Sequence, residues 1–197
     1  MKLAKINTIL LVLIILINGY VIIGPFLPGL LFRWDSRSGR QQQLQAKIQP
    51  PKAGHAATPV APQPNSVIIP SMVLDQPILE GIIPNQYATL NKGIWRWPKG
   101  STPDKGGNTI LIGHRFTYTN PRGVFYFLNK VKVGDGIAVI WNNHRYVYKV
   151  ASINEVPPND TAIENNTPNP ELTLFTCTPL WLPKDRLVVV ANLETNP

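Results

Sequence analysis

Leu172 to Leu193 reads LTLFTCTPLWLPKDRLVVVANL, two apolar runs separated by a short polar and proline-containing stretch. Each run is rich in branched and apolar residues and too short for an ordinary helix, so the pair reads as two strands joined by a loop. Cys177 closes the first run, and Arg186 opens the second nine residues later. Upstream, NTILIGHRF repeats the pattern, with His114 following an apolar strand and Gly113.

Working outward, the same signals recur. Runs at Ser66–Ile69, Met72–Leu74, Thr109–Ile112, Gly136–Trp141, Arg145–Ile153, Glu171–Thr176 and Arg186–Leu193 alternate with turn formers and predict an all-β domain over residues 66–197. Asn142-Asn143 suits a hairpin turn because Asn tolerates positive φ, which leaves His144 as a solvated residue beside it. Val124–Lys130 suits a short helix or a strand. The domain's 132 residues are enough for one closed barrel or sandwich.

Two further segments precede it. Pro50–Pro64 holds five prolines among small and polar residues and reads as an extended spacer, in which His55 is inert; residues 34–65 as a whole read as a basic, Pro-rich linker. Ile9–Phe32 is 24 residues without a charged side chain. As an unbroken helix it would reach about 36 Å, enough for a hydrocarbon core of roughly 30 Å. Residues 1–33 are therefore expected to be a short tail and transmembrane anchor, interrupted by Asn18, Gly19, Pro25 and Pro28. A cleaved signal peptide fits less well, since the nearest cluster of small residues, Ala53–Ala57, lies far downstream.

Composition narrows the function. The formal charge is +8, but seven basic and one acidic residue fall before Ser66, and the folded part carries only twelve basic against ten acidic. A nucleic-acid-binding domain would carry its excess on the fold, so no nucleic acid is expected. A single Cys excludes an intrachain disulfide framework and a cysteine-based metal site. Twenty prolines in 197 residues argue against a mainly helical protein.

Taken singly, Cys177 reads as a small buried hydrophobe, His114 as a structural residue and Arg186 as half of a surface ion pair with Asp185. If their strands end at one rim, however, a thiol, an imidazole and a guanidinium converge. A thiolate is a strong nucleophile, an imidazole can take or give its proton, and an Arg can stabilise an oxyanion.

With these residues in place the chain resembles the sortases, membrane-anchored cysteine transpeptidases of Gram-positive-type cell surfaces. The family's TLxTC nucleophile motif is matched by Thr173, Leu174, Phe175, Thr176 and Cys177. Gly113-His114 followed by Arg115 matches the end of its fourth strand, Gly134-Asp135 the turn before its fifth, Arg186 leads into RLVVVA, and Val67–Gly81 resembles its opening strands. The resemblance implies an eight-stranded β-barrel with short helices. It also implies Cys177 as nucleophile, His114 as general acid and base, Arg186 as oxyanion and substrate support, and Thr176 as a second oxyanion support. The implied substrates are secreted proteins with an LPxTG-like sorting signal, and the implied acceptor is an amine of a peptidoglycan precursor or a pilin lysine. No cofactor is required by it.

Such substrates lie outside the cell, so a single-pass cell-membrane protein with an extracellular catalytic domain is expected, although the basic residues after the anchor count the other way by the positive-inside rule. The short Cys177-to-Arg186 interval, with Pro179 and Trp181 inside it, looks like class D or E. One apolar span and no Asp-Pro-aromatic lid disfavour the pilin-polymerising class. Trp181 reads either as a substrate-facing aromatic or as a loop residue packed on the barrel. Glu155, Asp160 and Glu164 precede the nucleophile's strand, where some sortases bind calcium; three scattered acids more often form a solvated loop. Two alternatives compete. An L,D-transpeptidase would carry Ser-His-Gly before its Cys, where this chain has Leu174-Phe175-Thr176; a tethered, non-enzymatic β-domain would bury Cys177.

Overall fold

The computed structural model describes residues 2–48, 58–117, 122–180 and 182–194. The chain forms two compact units, one ending at Gly39 and one beginning at Arg40.

The first unit is helical. Helix α1, Lys2–Ile23, contains a segment Ala4–Ile23 of 20 residues with mean hydropathy 2.5 and no buried positions. At about 30 Å it is long and apolar enough to cross a membrane. Its polar side chains fold back on their own helix: Thr8 Oγ1 donates to the Ala4 carbonyl at 2.9 Å, and Asn18 Nδ2 to the Ile14 carbonyl at 2.8 Å. In hydrocarbon an unsatisfied donor would cost several kcal/mol, so these bonds let the two residues stand within an apolar run. The uncharged run continues to Phe32 but the α-helix does not. A 3₁₀ turn at Gly24–Phe26 intervenes, containing Pro25, which has no N–H to give, and helix α2 follows at Leu27–Arg37.

In the second unit eight strands close into a barrel. They are β1 (Ser66–Ile69), β2 (Leu74–Leu79), β3 (Ile94–Arg96), β4 (Asn108–Ile112), β5 (Gly136–Trp141), β6 (His144–Val156), β7 (Glu171–Thr178) and β8 (Asp185–Leu193). The sheet runs β6-β5-β1-β2-β3-β4-β7-β8, and β8 pairs again with β6, leaving no free edge. Pairing is antiparallel except for β2 with β3 and β4 with β7. Inward residues such as Val67, Ile69, Leu111, Ile137, Val139, Leu172, Leu174 and Val189 are fully buried.

Local chemistry explains the turns. Asn142 and Asn143 adopt φ of 49° and 61°, making the tight β5–β6 hairpin, and His144 beside them is exposed. Before β5, Gly134 adopts φ of 91°, and the Asp135 carboxylate accepts the Lys132 backbone N–H at 3.0 Å. Met72–Leu74, expected as a strand, divides instead. Pro70 starts a 3₁₀ turn through Met72, and β2 begins at Leu74. Val124–Lys130 is a series of turns ending in a 3₁₀ turn at Leu128–Lys130. Strand β3, not anticipated, is only three residues long. Helix α4, Gln86–Leu90, leads into it.

Part of the stretch read as linker is ordered onto the barrel. Helix α3, Arg40–Lys47, buries Leu44, and the following Ile48 joins it against Ile68 and Ala138. Lys47 Nζ pairs with Asp75 Oδ2 at 2.7 Å, and Arg145 Nη1 donates to the Lys47 carbonyl at 3.0 Å. Further along, Thr58–Pro59 pairs with His144 and Arg145 of β6, and the Val60 N–H donates to the Asn143 carbonyl at 2.8 Å. Positions 49–57, with His55, lie outside the described residues. A Leu44→Ala variant should lose about 2 kcal/mol, the low end for a buried leucine because the helix is peripheral. Ala at exposed Gln43 should be silent; guanidinium unfolding of the two variants checks this.

Candidate active site

The parallel pairing of β4 with β7 determines what meets at the rim. Ile112 lies opposite Phe175, and the Gly113 N–H reaches the Phe175 carbonyl at 3.4 Å. Continued two residues, that register sets His114 level with Cys177. On the other side of β7, Cys177 is directly opposite Arg186 in the antiparallel β7–β8 pair. Directly opposed residues share a face with Cβ atoms about 5 Å apart. Cys177, His114, Arg186 and Thr176 all line one groove of about 340 Å³. The three strand-end residues singled out in the sequence are thus brought together.

Each is held differently. Cys177 is half-buried and free of any disulfide. Arg186 is half-buried, its Nη1 donating to the Asp185 backbone carbonyl at 3.3 Å rather than pairing with the Asp185 carboxylate. Among the described residues the guanidinium is in no ion pair like those of Lys47 with Asp75 and Arg96 with Glu80. His114 is half-buried with a buried Nε2 that has no hydrogen-bond partner among the described residues. Burial pushes its pKa below the ordinary value, because the charged imidazolium loses hydration there. Thr176 is buried, and its hydroxyl donates to the Gly113 carbonyl at 2.7 Å. That proton is engaged in tying β7 to the His114 segment.

The structural roles of several contributors were not legible in the sequence. Arg115 is buried, and its Nη1 donates to Thr178 Oγ1 at 2.9 Å; the Thr178 hydroxyl in turn donates to Glu155 Oε1 at 3.2 Å. Burial weighs against the charge on Arg115, and the nearby Glu155 opposes that effect. Gly113 is required by a close approach, since a Cβ there would meet Val124 Cγ1 at 2.6 Å and Phe125 Cδ2 at 2.8 Å, and Phe125 is fully buried. Trp95 and Trp97, two residues apart and therefore on one side of the chain, both line the groove, their rings edge-to-face at 5.2 Å. Their alternation in Ile94-Trp95-Arg96-Trp97 was the available signal. The apolar wall continues through Ile112, Ile163 and Phe175.

The acids considered for calcium do not gather into a ligand set. Glu155 accepts from Thr178, Asp160 Oδ1 accepts the Ala162 N–H at 3.0 Å, and no cluster of three or more metal-ligating side chains occurs among the described residues. Trp181 lies outside the described residues.

Comparison with known proteins bears on this arrangement. The family model described as Sortase domain matches residues 67–194. Sortase SrtE1 of Streptomyces coelicolor is 34% identical over 136 residues, covering 61% of this chain and 37% of the relative. Sortase D of Bacillus subtilis is 29% identical over 112 residues, covering 56% and 52%. The chain therefore spans between a third and about half of these relatives' lengths. Among solved structures, sortase C1 of Streptococcus agalactiae superposes with TM-score 0.59 at 29% identity, over 68% of each chain. A sortase D5 transpeptidase of Clostridium perfringens shares the fold, with TM-score 0.58 at 23% identity over 83% of this chain and 93% of that one.

The depressed His114 pKa has a signed consequence for stability. As pH falls below the ordinary imidazole value of about 6.5, the unfolded chain takes up a proton before the native state does. The native state should therefore lose stability, relative to a His114→Gln variant, from about pH 6.5 down to the folded pKa. Unfolding curves at successive pH values, with an NMR titration of the imidazole, check it. An imidazole midpoint at or above 6.5 would contradict the burial argument.

Proposed function

Because the chain belongs to the sortase family, we propose that it is a membrane-anchored cysteine transpeptidase acting on an LPxTG-like sorting signal. Cys177 is the nucleophile. Its thiolate attacks the carbonyl carbon of the signal's threonine, forming the C–S bond. The tetrahedral oxyanion is stabilised by the Arg186 guanidinium, with the backbone around Thr176 beside it. Collapse breaks the C–N bond, the downstream amine leaves with a proton from the His114 imidazolium, and a thioacyl enzyme remains. An amine from a peptidoglycan precursor or a pilin lysine then attacks the thioester. The new amide forms, the C–S bond breaks, and the surplus proton returns by way of His114.

The observation that carries this reading is the cross-strand pair of Cys177 and Arg186 in a groove shared with His114. The groove's composition supports a peptide substrate. Trp97, Ile112, Ile163 and Phe175 offer apolar surface for Leu and Pro of an extended segment, while Arg186 sits with Asp160 and Glu164 among its polar residues. Relatives named SrtE1 and Sortase D, together with the short loop after Cys177, favour class D or E. Helix α1 serves as the anchor, residues 34–65 as the linker, and residues 66–197 as the catalytic domain on the outer side of the cell membrane, where sorting signals and wall amines are found.

Replacing Cys177 with Ala should abolish cleavage of sorting-signal peptides while leaving the unfolding midpoint near that of the parent; turnover surviving the change would remove the nucleophile. Arg186→Lys should lower kcat/KM by roughly 10²-fold, as for loss of one oxyanion donor, because an ammonium lacks the planar fork. Near-parental kinetics in a coupled peptide-release assay would reduce Arg186 to a scaffold residue.

A further inference from the structure

Residues 157–170 connect β6 to β7 and carry Pro158, Asp160, Ile163 and Glu164, which line the groove. Most of this connection is bonded only to itself. The Asp160 N–H reaches the Pro157 carbonyl at 3.1 Å, that of Glu164 the Thr161 carbonyl at 3.0 Å, and that of Asn165 the Ala162 carbonyl at 3.1 Å. Such turns shape a loop without fixing it to anything else. Among the described residues, the hydrogen bonds that join positions 157–169 to the barrel all come from Asn108, the first residue of β4.

Asn108 is 2% exposed. Its Nδ2 donates twice, to the Asn165 carbonyl at 3.1 Å and the Ile163 carbonyl at 3.3 Å, and its backbone N–H donates to Asn166 Oδ1 at 3.0 Å. Both side-chain partners are carbonyls, so the position calls for two donors on one short side chain, which only the amide NH₂ of Asn supplies. Its Oδ1 is buried without a hydrogen-bond partner among the described residues. An unpaired buried acceptor is costly, and here it accompanies the orientation that turns both donors toward the loop.

We infer that Asn108 is a positioning residue that sets the loop side of the groove and thereby the affinity for the extended peptide. The inference rests on the transpeptidase reading and adds to it a residue remote from the chemistry. Asn108 stands six positions before His114, at the opposite end of β4. Ile163 supplies the path: Asn108 holds its carbonyl, while its side chain packs with Ile110, Phe175 and Val188 and lines the groove. Without Asn108 the loop would sample arrangements in which Asp160, Ile163 and Glu164 no longer form that wall. The peptide would bind only the fraction that still does, and apparent affinity falls in proportion to that fraction. Cys177, His114 and Arg186 are set by strand register, so the steps after binding keep their rate. The signature is a raised KM at constant kcat.

The test uses the full chain in detergent micelles, with the best-cleaved member of an LPxTG peptide set as substrate. Aspartate at two positions should act in opposite ways, because Asn108 must donate and Asn166 must accept. Asn108→Asp turns carboxylate oxygens toward two carbonyls and should raise KM about tenfold, with kcat within about threefold of the parent. Asn166→Ala should raise KM about threefold, and Asn166→Asp, which keeps the acceptor, should restore the parental value. Asn166 is exposed, so its variants keep the fold even where Asn108→Asp does not. Amide hydrogen exchange at Glu164 and Asn165, read by NMR, should quicken in Asn108→Asp and Asn166→Ala but not in Asn166→Asp. A lowered kcat at unchanged KM, Asn166→Asp behaving like Asn166→Ala, or exchange that quickens with no rise in KM would overturn the assignment. Where the parent cleaves no sorting peptide, the transpeptidase reading falls and exchange decides alone: quickening in Asn108→Asp and Asn166→Ala supports the tie, and unchanged exchange sinks it.

Discussion

Two hydrogen bonds between the ends of adjacent parallel strands hold the site in place. Thr176 Oγ1 donates to the Gly113 carbonyl at 2.7 Å, and Arg115 Nη1 donates to Thr178 Oγ1 at 2.9 Å. The four residues are the chain neighbours of Cys177 and His114 on both sides. Each bond is buried, where a lost partner leaves an unsatisfied group at a cost of about 1–3 kcal/mol, more for the charged guanidinium. Cys177 and His114 are therefore held level by their chain neighbours. A loop between strand ends would not hold the two to that tolerance without such ties. Below them, the Gly113 N–H to the Phe175 carbonyl continues the ladder, and Phe125 closes against Gly113 from the other side.

The strands, the hairpin at Asn142-Asn143 and the convergence of Cys177, His114 and Arg186 were legible in the sequence for one physical reason. Each is a local pattern, an apolar run with a chemically distinct residue where it stops. The Arg115–Thr178–Glu155 chain was not, because it joins residues from three strand regions whose register no local window contains. Trp97 was missed for a related reason, since β3 spans only three residues and has too little alternation to stand out. Helix α3 was the hardest. RQQQLQAK offers one apolar residue, and only its pairing with Ile48 four positions on makes a buried stripe. Read as composition, the segment is a polar linker; read against Ile68 and Ala138, it is part of the core. In helix α1, composition gave the apolar run but not where the helix stops, which a backbone break at Gly24–Phe26 decides.

Barrel closure bears on the chemistry as well as on stability. Arg186 faces Cys177 only in one register, since a slip of one residue would turn its side chain to the opposite surface. Strand β8 is pinned from both sides: it pairs with β7 from Glu171↔Asn192 to Thr178↔Asp185, and with β6 from Tyr148↔Leu193 to Val156↔Arg186. Along it Leu187, Val188, Val189 and Ala191 are buried, so the slipped register would have to expose apolar residues as well as break two ladders. The shift between Val150 and Ser152 lets the long strand β6 bend enough to serve both β5 and β8. Closing the sheet thus fixes Arg186 opposite Cys177, while β4, parallel to β7, brings His114 to the same groove from the other flank. An open sheet of the same strands would leave β8 with one partner, and the position of Arg186 would depend on a single ladder.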